Sequence, residues 1–90
     1  MKTPAFTNQF KKDMKLAEKQ KKNISEIKAI MFDLICESPL PPKNNDHPLT
    51  GNYKGHRECH IEPDWLLIYL YSGDEIRFVR NGSHSELYNK

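Results

Sequence analysis

All four histidines lie in the second half of the 90-residue chain, and two of them belong to the segment GHRECHIEPDW, residues 55–65. His56 and His60 flank Glu58 there, and Asp64 follows four residues later. An imidazole titrates near neutral pH, with an ordinary pKa of about 6.5, so such a cluster suits either proton transfer or metal binding. Which chemistry the segment performs depends on which of these side chains share a surface.

Zinc binding is the first alternative, because the chain offers ligand types that zinc prefers: His47, His56, Cys59 and His60. These residues include no closely spaced C-x-x-C pair. Successive side chains of a strand point to opposite faces, so Cys59 is directed away from His56 and His60. We therefore expect no metal cofactor. Cys59 is expected to be a small buried hydrophobic residue rather than a nucleophile.

Cleavage of RNA fits the residue types better than acyl transfer. A metal-independent ribonuclease needs a base for the 2′-hydroxyl, an acid for the leaving 5′-oxygen and a cation for the phosphorane. Histidine serves as base or acid at neutral pH, and aromatic rings stack on RNA bases. Trp65, Tyr69 and Tyr88 are the stacking candidates. A single histidine is more often an ordinary surface residue, so the hypothesis depends on the whole cluster.

Two helices are predicted to precede this cluster. Phe10, Met14 and Ala17 recur at helical spacing, which predicts a helix with Thr7 as its N-cap, ending at about Lys22.

A second helix is predicted to follow at once and to end at about Glu37. Asn23 and Glu26 resemble a capping box, and a proline-rich segment, residues 38–51, stops the helix. The connection between the two helices is short, so the helices are expected to pack as an antiparallel pair. Residues 1–6, MKTPAF, are compatible with a short strand or an arm.

From residue 52 onward the hydrophobic period changes to two, which predicts three strands, at about residues 53–61, 65–71 and 75–80. A capping-box pair, Ser83 and Glu86, begins a short C-terminal helix. The expected fold is a single α+β domain, residues 1–90. Two N-terminal antiparallel helices pack on one face of a small antiparallel β-sheet, and the short helix ends the chain.

The faces of the sheet follow from the predicted turn at Pro63 and Asp64, which places His60 opposite Leu67. The helix-facing side is expected to carry Cys59, Ile61, Leu66, Ile68 and Leu70. The polar side is expected to carry His56, Glu58, His60, Glu62, Trp65, Leu67, Tyr69 and Tyr71. Strict alternation would bury Arg80, which is costly, so we expect the strand to end or to bulge near Val79, which would free Arg80 to turn toward the polar side.

Composition limits the class of protein. Residues 1–30 carry a local charge of +5, and residues 31–90 carry −3. A basic helical half suits a polyanion such as RNA, but it equally suits a solvated helix face. The chain has no signal-peptide core near its start, and its longest apolar run, residues 65–71, is too short to span a bilayer. We expect a cytoplasmic protein that does not contact membranes.

The segment DHPLTGNYKGHRECHIEPDWLLIYLY, together with IRFVRNGSHSELY, resembles the YafQ-type branch of the RelE/ParE toxin superfamily. The shared motifs are H-P-L-x-G, K-G-x-R-E-x-H-I-x-P-D-W and R-x-G-[ST]-H, and they fall within residues 46–88. The resemblance implies a RelE-like fold and a bacterial type II toxin. Such a toxin cleaves mRNA without a metal, generally at the ribosome, and a cognate antitoxin holds it inactive.

The resemblance also implies which residues act. The matching catalytic positions are His47, His60, Asp64, Arg80 and His84. We expect His84 to protonate the 5′-oxygen, while His60 or Asp64 acts on the 2′-hydroxyl. Arg80 would hold the phosphate, and His47 would orient it or share in proton transfer. Glu58 is a second candidate base. RNA contacts are expected from Lys54, Arg57, Trp65, Tyr69 and Tyr88.

Two alternatives belong to different functional classes. One is a non-catalytic toxin of the ParE type, which binds a protein such as gyrase, and the other is a domain that sequesters an antitoxin without toxicity. The ParE branch lacks a surface with several histidines, so His60, Asp64 and His84 favour the nuclease. The chain departs from the branch at His56, where an aromatic residue is common, and at Asn81, where the motif has Thr.

Overall fold

A computed structural model describes residues 1–88. Its elements are, in chain order, β1 (Thr3–Phe6), α1 (Asn8–Lys19), α2 (Ile24–Ile35), β2 (His47–Pro48), β3 (Arg57–Glu62), β4 (Trp65–Ser72), β5 (Glu75–Gly82) and α3 (His84–Tyr88). Two 3-10 turns lie in the connection from α2 to β3, at Pro42–Asn44 and Gly51–Tyr53. The predicted α+β class is confirmed. No helix among the described residues is long and apolar enough to cross a membrane.

The strands form one sheet in the order β1-β5-β4-β3-β2. The β3–β4–β5 meander is antiparallel, as predicted. The N-terminal segment is a strand, and it pairs with β5 in parallel, with Thr3 opposite Glu75. At the other edge β2 is antiparallel to β3 and places His47 opposite Glu58. Two short edge strands therefore extend the predicted meander, and the parallel one makes the sheet mixed.

The first two helices begin differently. The predicted cap of α1 is confirmed, since Thr7 Oγ1 accepts a hydrogen bond from the Phe10 N–H at 2.9 Å. The predicted capping box of α2 is wrong. Asn23 does occupy the N-cap, but within residues 1–88 its side chain makes no cap bond and instead accepts from the Ser25 hydroxyl at 2.6 Å. Short polar side chains often prefer such local partners.

The main core lies between the sheet and the two helices and contains Phe10, Ala17, Ile27, Leu34, Cys59, Ile61, Trp65, Leu67, Tyr69, Ile76 and Phe78. The predicted core positions of Cys59 and Ile61 are confirmed. A second, smaller core on the other side of the sheet contains Leu66 and Ile68 beneath Leu87 of α3. Both faces of β4 are therefore buried, and fully burying one such apolar side chain stabilises the fold by roughly 1.5–3 kcal/mol.

The predicted register of β3 against β4 is wrong by one residue. Glu62 lies opposite Trp65, but a β-bulge between His60 and Glu62 leaves His60 opposite Leu66 rather than Leu67. A one-residue slip exchanges the two faces of a strand. Residues assigned to the polar side therefore face the helices: Trp65, Leu67, Tyr69 and Tyr71. Two assigned to the helix side face α3: Leu66 and Ile68.

Of the two outcomes expected near Val79, a strand end or a bulge, the structure shows a bulge within β5. Tyr69 lies opposite Phe78 and Ile68 lies opposite Arg80, so Val79 is the additional residue. Without this bulge, Arg80 would lie on the same side as Phe78. The bulge instead aligns it with Ile68, on the side of the sheet that α3 covers.

Candidate active site

A row of directly opposed residues crosses four strands and consists of His47, Glu58, Ile68 and Arg80. Opposed residues of neighbouring strands have Cβ atoms roughly 5 Å apart, so the ends of this row lie on one continuous surface. His60 follows Glu58 by two residues on β3 and lies on the same face. The sheet thus brings together four of the predicted residues from three separate stretches of sequence.

Glu58 lies at the centre of this surface, with 5 % of its area exposed. Its Oε1 lies 3.3 Å from His47 Nε2 and 3.9 Å from His60 Nε2, and its Oε2 accepts a hydrogen bond from the Tyr88 hydroxyl. Burial, together with this carboxylate, raises the pKa of Tyr88, so the hydroxyl remains a donor at neutral pH. A buried carboxylate needs such partners: Tyr88 donates a hydrogen bond to Glu58, and two imidazoles lie within ion-pair distance of it.

Three imidazoles follow one another across the site. The ring centroids of His47 and His60 are 6.3 Å apart, and those of His60 and His84 are 5.9 Å apart. His47 Nδ1 lies 2.7 Å from the Asn45 carbonyl oxygen. A carbonyl oxygen only accepts, so this nitrogen carries a proton and Nε2 is the nitrogen directed at Glu58. The spacing leaves room for a small group, such as a phosphodiester, against neighbouring rings.

His84 is fixed by the start of α3. The predicted capping box forms here, because Ser83 Oγ accepts from the Glu86 N–H at 3.2 Å and Glu86 Oε1 accepts from the Ser83 N–H at 2.8 Å. Asp64 Oδ1 accepts from His84 Nδ1 at 2.7 Å and from the His84 N–H at 2.9 Å. These hydrogen bonds, the backbone one foremost, lower the pKa of Asp64. An ionised carboxylate can only accept hydrogen bonds, so Nδ1 of His84 carries a proton. Nε2 of His84 then remains available for proton transfer.

The loop before β3 is anchored by two residues that sequence reasoning missed. Asn44, which is buried, donates from Nδ2 to the His60 carbonyl at 2.7 Å. Asp46 accepts from the Tyr69 hydroxyl at 2.5 Å and from Arg57 Nε at 3.3 Å. Both anchors lie within three residues of His47 and hold it against Glu58. Their hydrogen-bond partners are distant in sequence. The only clue that the sequence offered was the presence of polar residues in a proline-rich loop.

Three predicted RNA contacts must be corrected. Trp65 and Tyr69 are each 1 % exposed in the main core, so neither ring offers a face for stacking on a base. Trp65 Nε1 instead donates to Asn81 Oδ1 at 3.2 Å. Arg57 lies opposite Tyr69 and binds Asp46, which places it on the face away from His60. The β-bulge before Glu62 explains the two aromatic errors.

A cluster of aromatic side chains beside α3 contains rings that are not buried in the main core. The Tyr53 ring centroid lies 5.7 Å from that of His56 and 6.2 Å from that of Tyr88, both at nearly perpendicular angles. Tyr53 and Tyr88 also line an open cavity of about 370 Å³ together with Thr50, Asn52 and Leu87. Lys54 is exposed next to this group. Sequence reasoning missed Tyr53, although it directly precedes the K-G-x-R motif.

Cys59 lies apart from the histidines, as the face argument predicted. It is fully buried in the main core, and burial raises the pKa of its thiol to about 12. Among residues 1–88, no three His, Cys, Asp or Glu side chains form a group that could hold a metal ion.

A sheet covered by two helices on one side, with histidines and carboxylates beside a short helix on the other, is the architecture that the resemblance to RelE-like toxins implies. The particular family follows from comparison with known proteins. The family described as "Bacterial toxin of type II toxin-antitoxin system, YafQ" matches residues 2–89. The chain belongs to this YafQ family, which confirms the prediction made from its motifs.

Similar proteins agree with this assignment. The mRNA interferase toxin YafQ of Escherichia coli (strain K12) is 44 % identical over 84 residues, covering 92 % of this chain and 91 % of the relative. The crystal structure of YafQ from E. coli strain BL21(DE3) matches with a TM-score of 0.93 and 40 % identity, covering 98 % of this chain and 99 % of the other. The toxin chain in the crystal structure of the E. coli DinJ-YafQ complex matches with a TM-score of 0.91, 42 % identity and the same coverage. These names favour the nuclease over the ParE-type alternative.

Proposed function

We propose that this protein is an mRNA interferase, an endoribonuclease that cleaves mRNA by attack of the 2′-hydroxyl on the adjacent phosphodiester, without a metal ion. The observation that carries the proposal is the series His47, His60 and His84, whose ring centroids are 6.3 and 5.9 Å apart. Carboxylates lie beside all three rings, so neighbouring imidazoles can serve as base and acid for one phosphate bound against them. The relative named an mRNA interferase toxin supports the same reaction.

His84 is the proposed general acid. Asp64 engages Nδ1 at 2.7 Å, and His84 is exposed, so Nε2 can deliver a proton to the leaving 5′-oxygen. Asp64 then acts through His84 rather than on the 2′-hydroxyl.

His60 is the proposed general base for the 2′-hydroxyl. It lies between His84 and His47, and its Nε2 is 3.9 Å from the buried carboxylate of Glu58. Glu58 thereby faces the ring that would accept the proton of the 2′-hydroxyl. His47, bound to the same carboxylate, is suited to orient the phosphate or to share in proton transfer.

Arg80 is the proposed cation for the phosphorane, because a guanidinium stabilises the negative charge that develops on phosphate oxygens. Tyr88, which donates to Glu58, and the exposed Lys54 are the remaining predicted RNA contacts. Tyr53 and His56 extend the surface beside Tyr88, where bases adjacent to the cleaved bond can stack.

The proposed partners are mRNA, the ribosome and a cognate antitoxin protein, and the proposed site of action is the cytoplasm. The structure of the E. coli DinJ-YafQ toxin-antitoxin complex supports an antitoxin. The local charge of +5 on residues 1–30 suits binding to a polyanion such as ribosomal RNA.

The test is cleavage of a defined mRNA by the purified protein, with and without ribosomes and with a chelator. A 2′,3′-cyclic phosphate at the new end, formed in the presence of chelator, is the expected product. Cleavage that a chelator abolishes would refute the metal-independent mechanism. Growth arrest with intact mRNA, after expression without an antitoxin, would refute the nuclease altogether.

A further inference from the structure

Asp13 is a buried carboxylate on a helix that otherwise buries apolar groups. Phe10, Asp13 and Ala17 are the buried residues of α1, and Asp13 is 6 % exposed. Burying an ionised carboxylate is costly unless it is paired and hydrogen-bonded. Phe10 and Ala17, the other buried residues of α1, are apolar residues typical of a core. The partner that compensates this burial lies 67 residues away in the chain.

That partner is Arg80. Arg80 Nε donates to Asp13 Oδ2 at 3.0 Å and Arg80 Nη2 donates to Asp13 Oδ1 at 3.1 Å. Each carboxylate oxygen accepts a second hydrogen bond, from the Asn81 N–H to Oδ2 and from Gln9 Nε2 to Oδ1, both at 3.1 Å. Four donors therefore fix the carboxylate, and two parallel bonds fix the plane of the guanidinium.

This arrangement determines which part of Arg80 remains available. The bulge at Val79 places Arg80 opposite Ile68, in the row that contains Glu58. Arg80 also lies beyond Phe78, the last residue of β5 that β1 pairs, so its side chain reaches Asp13 of α1 at this open edge. Asp13 engages one edge of the guanidinium, through Nε and Nη2, and does not engage Nη1. The Arg80 side chain is 23 % exposed to solvent. A free Arg side chain has many rotamers, so holding one edge reduces the entropy lost when the other edge binds a phosphate.

We propose that Asp13 is a positioning residue for the reaction: it holds Arg80 in the orientation that binds the scissile phosphate. This inference rests on the proposed function of Arg80. The competing explanation is that the ion pair only packs α1 against β5. The two explanations differ in kinetics, because a packing contact affects stability, whereas a positioning contact affects kcat only while Arg80 is present.

The experiment measures kcat and KM on a defined RNA for Asp13→Asn, Arg80→Ala and the double variant, with Glu18→Gln as the control on the exposed face of α1. Asp13→Asn is expected to lower kcat about 10- to 100-fold and to change KM less than about 3-fold, since misplacing a group costs transition-state stabilisation. In the Arg80→Ala background the same substitution is expected to change kcat less than about 3-fold. Glu18→Gln is expected to match wild type.

Two results with Asp13→Asn would overturn the proposal. One is a normal kcat for Asp13→Asn while Arg80→Ala is impaired, and the other is an equal loss from Asp13→Asn with and without Arg80. If the Arg80→Ala variant cleaves RNA normally, the proposed role of Arg80 is wrong, and the positioning role of Asp13, which depends on it, is wrong as well. Arg80→Lys is a second variant that keeps the charge and the buried partner but cannot form two parallel bonds. A kcat near wild type for Arg80→Lys would also overturn the proposal.

Discussion

Asp64 accepts two hydrogen bonds from a single residue, His84, through one oxygen: at 2.7 Å from Nδ1 and at 2.9 Å from the backbone N–H. The carboxylate sits in the turn between β3 and β4, and His84 is the first residue of α3, 20 positions later. One contact therefore attaches the C-terminal helix to the sheet and sets the tautomer of the proposed acid. Substitutions at either residue should separate these two effects.

The first prediction concerns His60 and His84, two of the three imidazoles of the site, and their neighbour His56. His84→Ala and His60→Ala are each expected to reduce cleavage of a defined RNA about 10²- to 10⁴-fold, the usual contribution of a general acid or base. His56→Ala is expected to lose less, because His56 lies beside Tyr53 rather than in the series. Circular dichroism should show the native fold in all three. Wild-type activity in both of the first variants would remove the proposed mechanism.

The second prediction separates orientation from stability at Glu58. Tyr88→Phe removes the hydroxyl that donates to Glu58, and Tyr71→Phe removes a hydrogen bond to the Leu34 carbonyl on the opposite side of the sheet. Each variant is expected to lower the free energy of unfolding by roughly 1 kcal/mol. Only Tyr88→Phe is expected to reduce kcat, because its carboxylate partner orients two imidazoles. Equal cleavage by the two variants would show that Glu58 needs no support from Tyr88.

Much of the fold was predictable because local patterns decide it. The helical stripe of α1, the period of two after residue 52 and the capping pair before α3 each appear within a few residues. An interruption of the strand pattern near Val79 was predictable for an energetic reason, since a buried unpaired Arg80 would be too costly, but whether the strand would end or bulge there was not. Its actual partner, Asp13, was not predictable, because the carboxylate falls on an otherwise apolar helix face and lies far from Arg80 in sequence.

The register of β4 shows what sequence cannot decide. Leu66, Leu67, Ile68 and Tyr69 are all buried, so the strand carries no alternation that would distinguish its two faces. One bulged residue, Ile61, then determines the faces. Glu58 and His60 of β3 share one face, as expected, because polar and apolar residues do alternate there, whereas Arg57 lies on the other face. The edge strand β2 is only two residues long, and pairing rather than any local pattern defines it.

The third prediction concerns the reactivity of the two thiols. Burial raises the pKa of Cys59 to about 12, so its thiolate is scarce at neutral pH, whereas Cys36 is partly exposed at the end of α2. The thiolate is the reactive form. Alkylation of the native protein at pH 8 is expected to modify Cys36 and to leave Cys59 intact. Peptide mass mapping measures this, and denaturant should expose both. Rapid native modification of Cys59 would contradict its place in the core.

The fourth prediction concerns the pH dependence of stability at Asp64. Hydrogen bonds from His84 lower the pKa of Asp64 in the folded state below its unfolded value, which is about 3.9. A depressed carboxyl pKa stabilises the fold above the unfolded pKa, and this contribution disappears as the pH falls through the folded pKa. The difference in unfolding free energy between wild type and Asp64→Asn is therefore expected to be constant above about pH 5 and to shrink below it.

Denaturant titrations from pH 7 to pH 2.5 measure that difference, with Asp74→Asn as the control for loss of one negative charge in an exposed turn. The wild-type curve should approach the Asp64→Asn curve only at the acid end, because there both side chains are neutral. His84→Ala removes the ring but keeps the backbone N–H, which is the larger cause of the shift. It should therefore retain part of the pH dependence. A difference that stays constant down to pH 2.5 would mean that the hydrogen bonds do not depend on an ionised Asp64, and His84 would then lack its fixed tautomer.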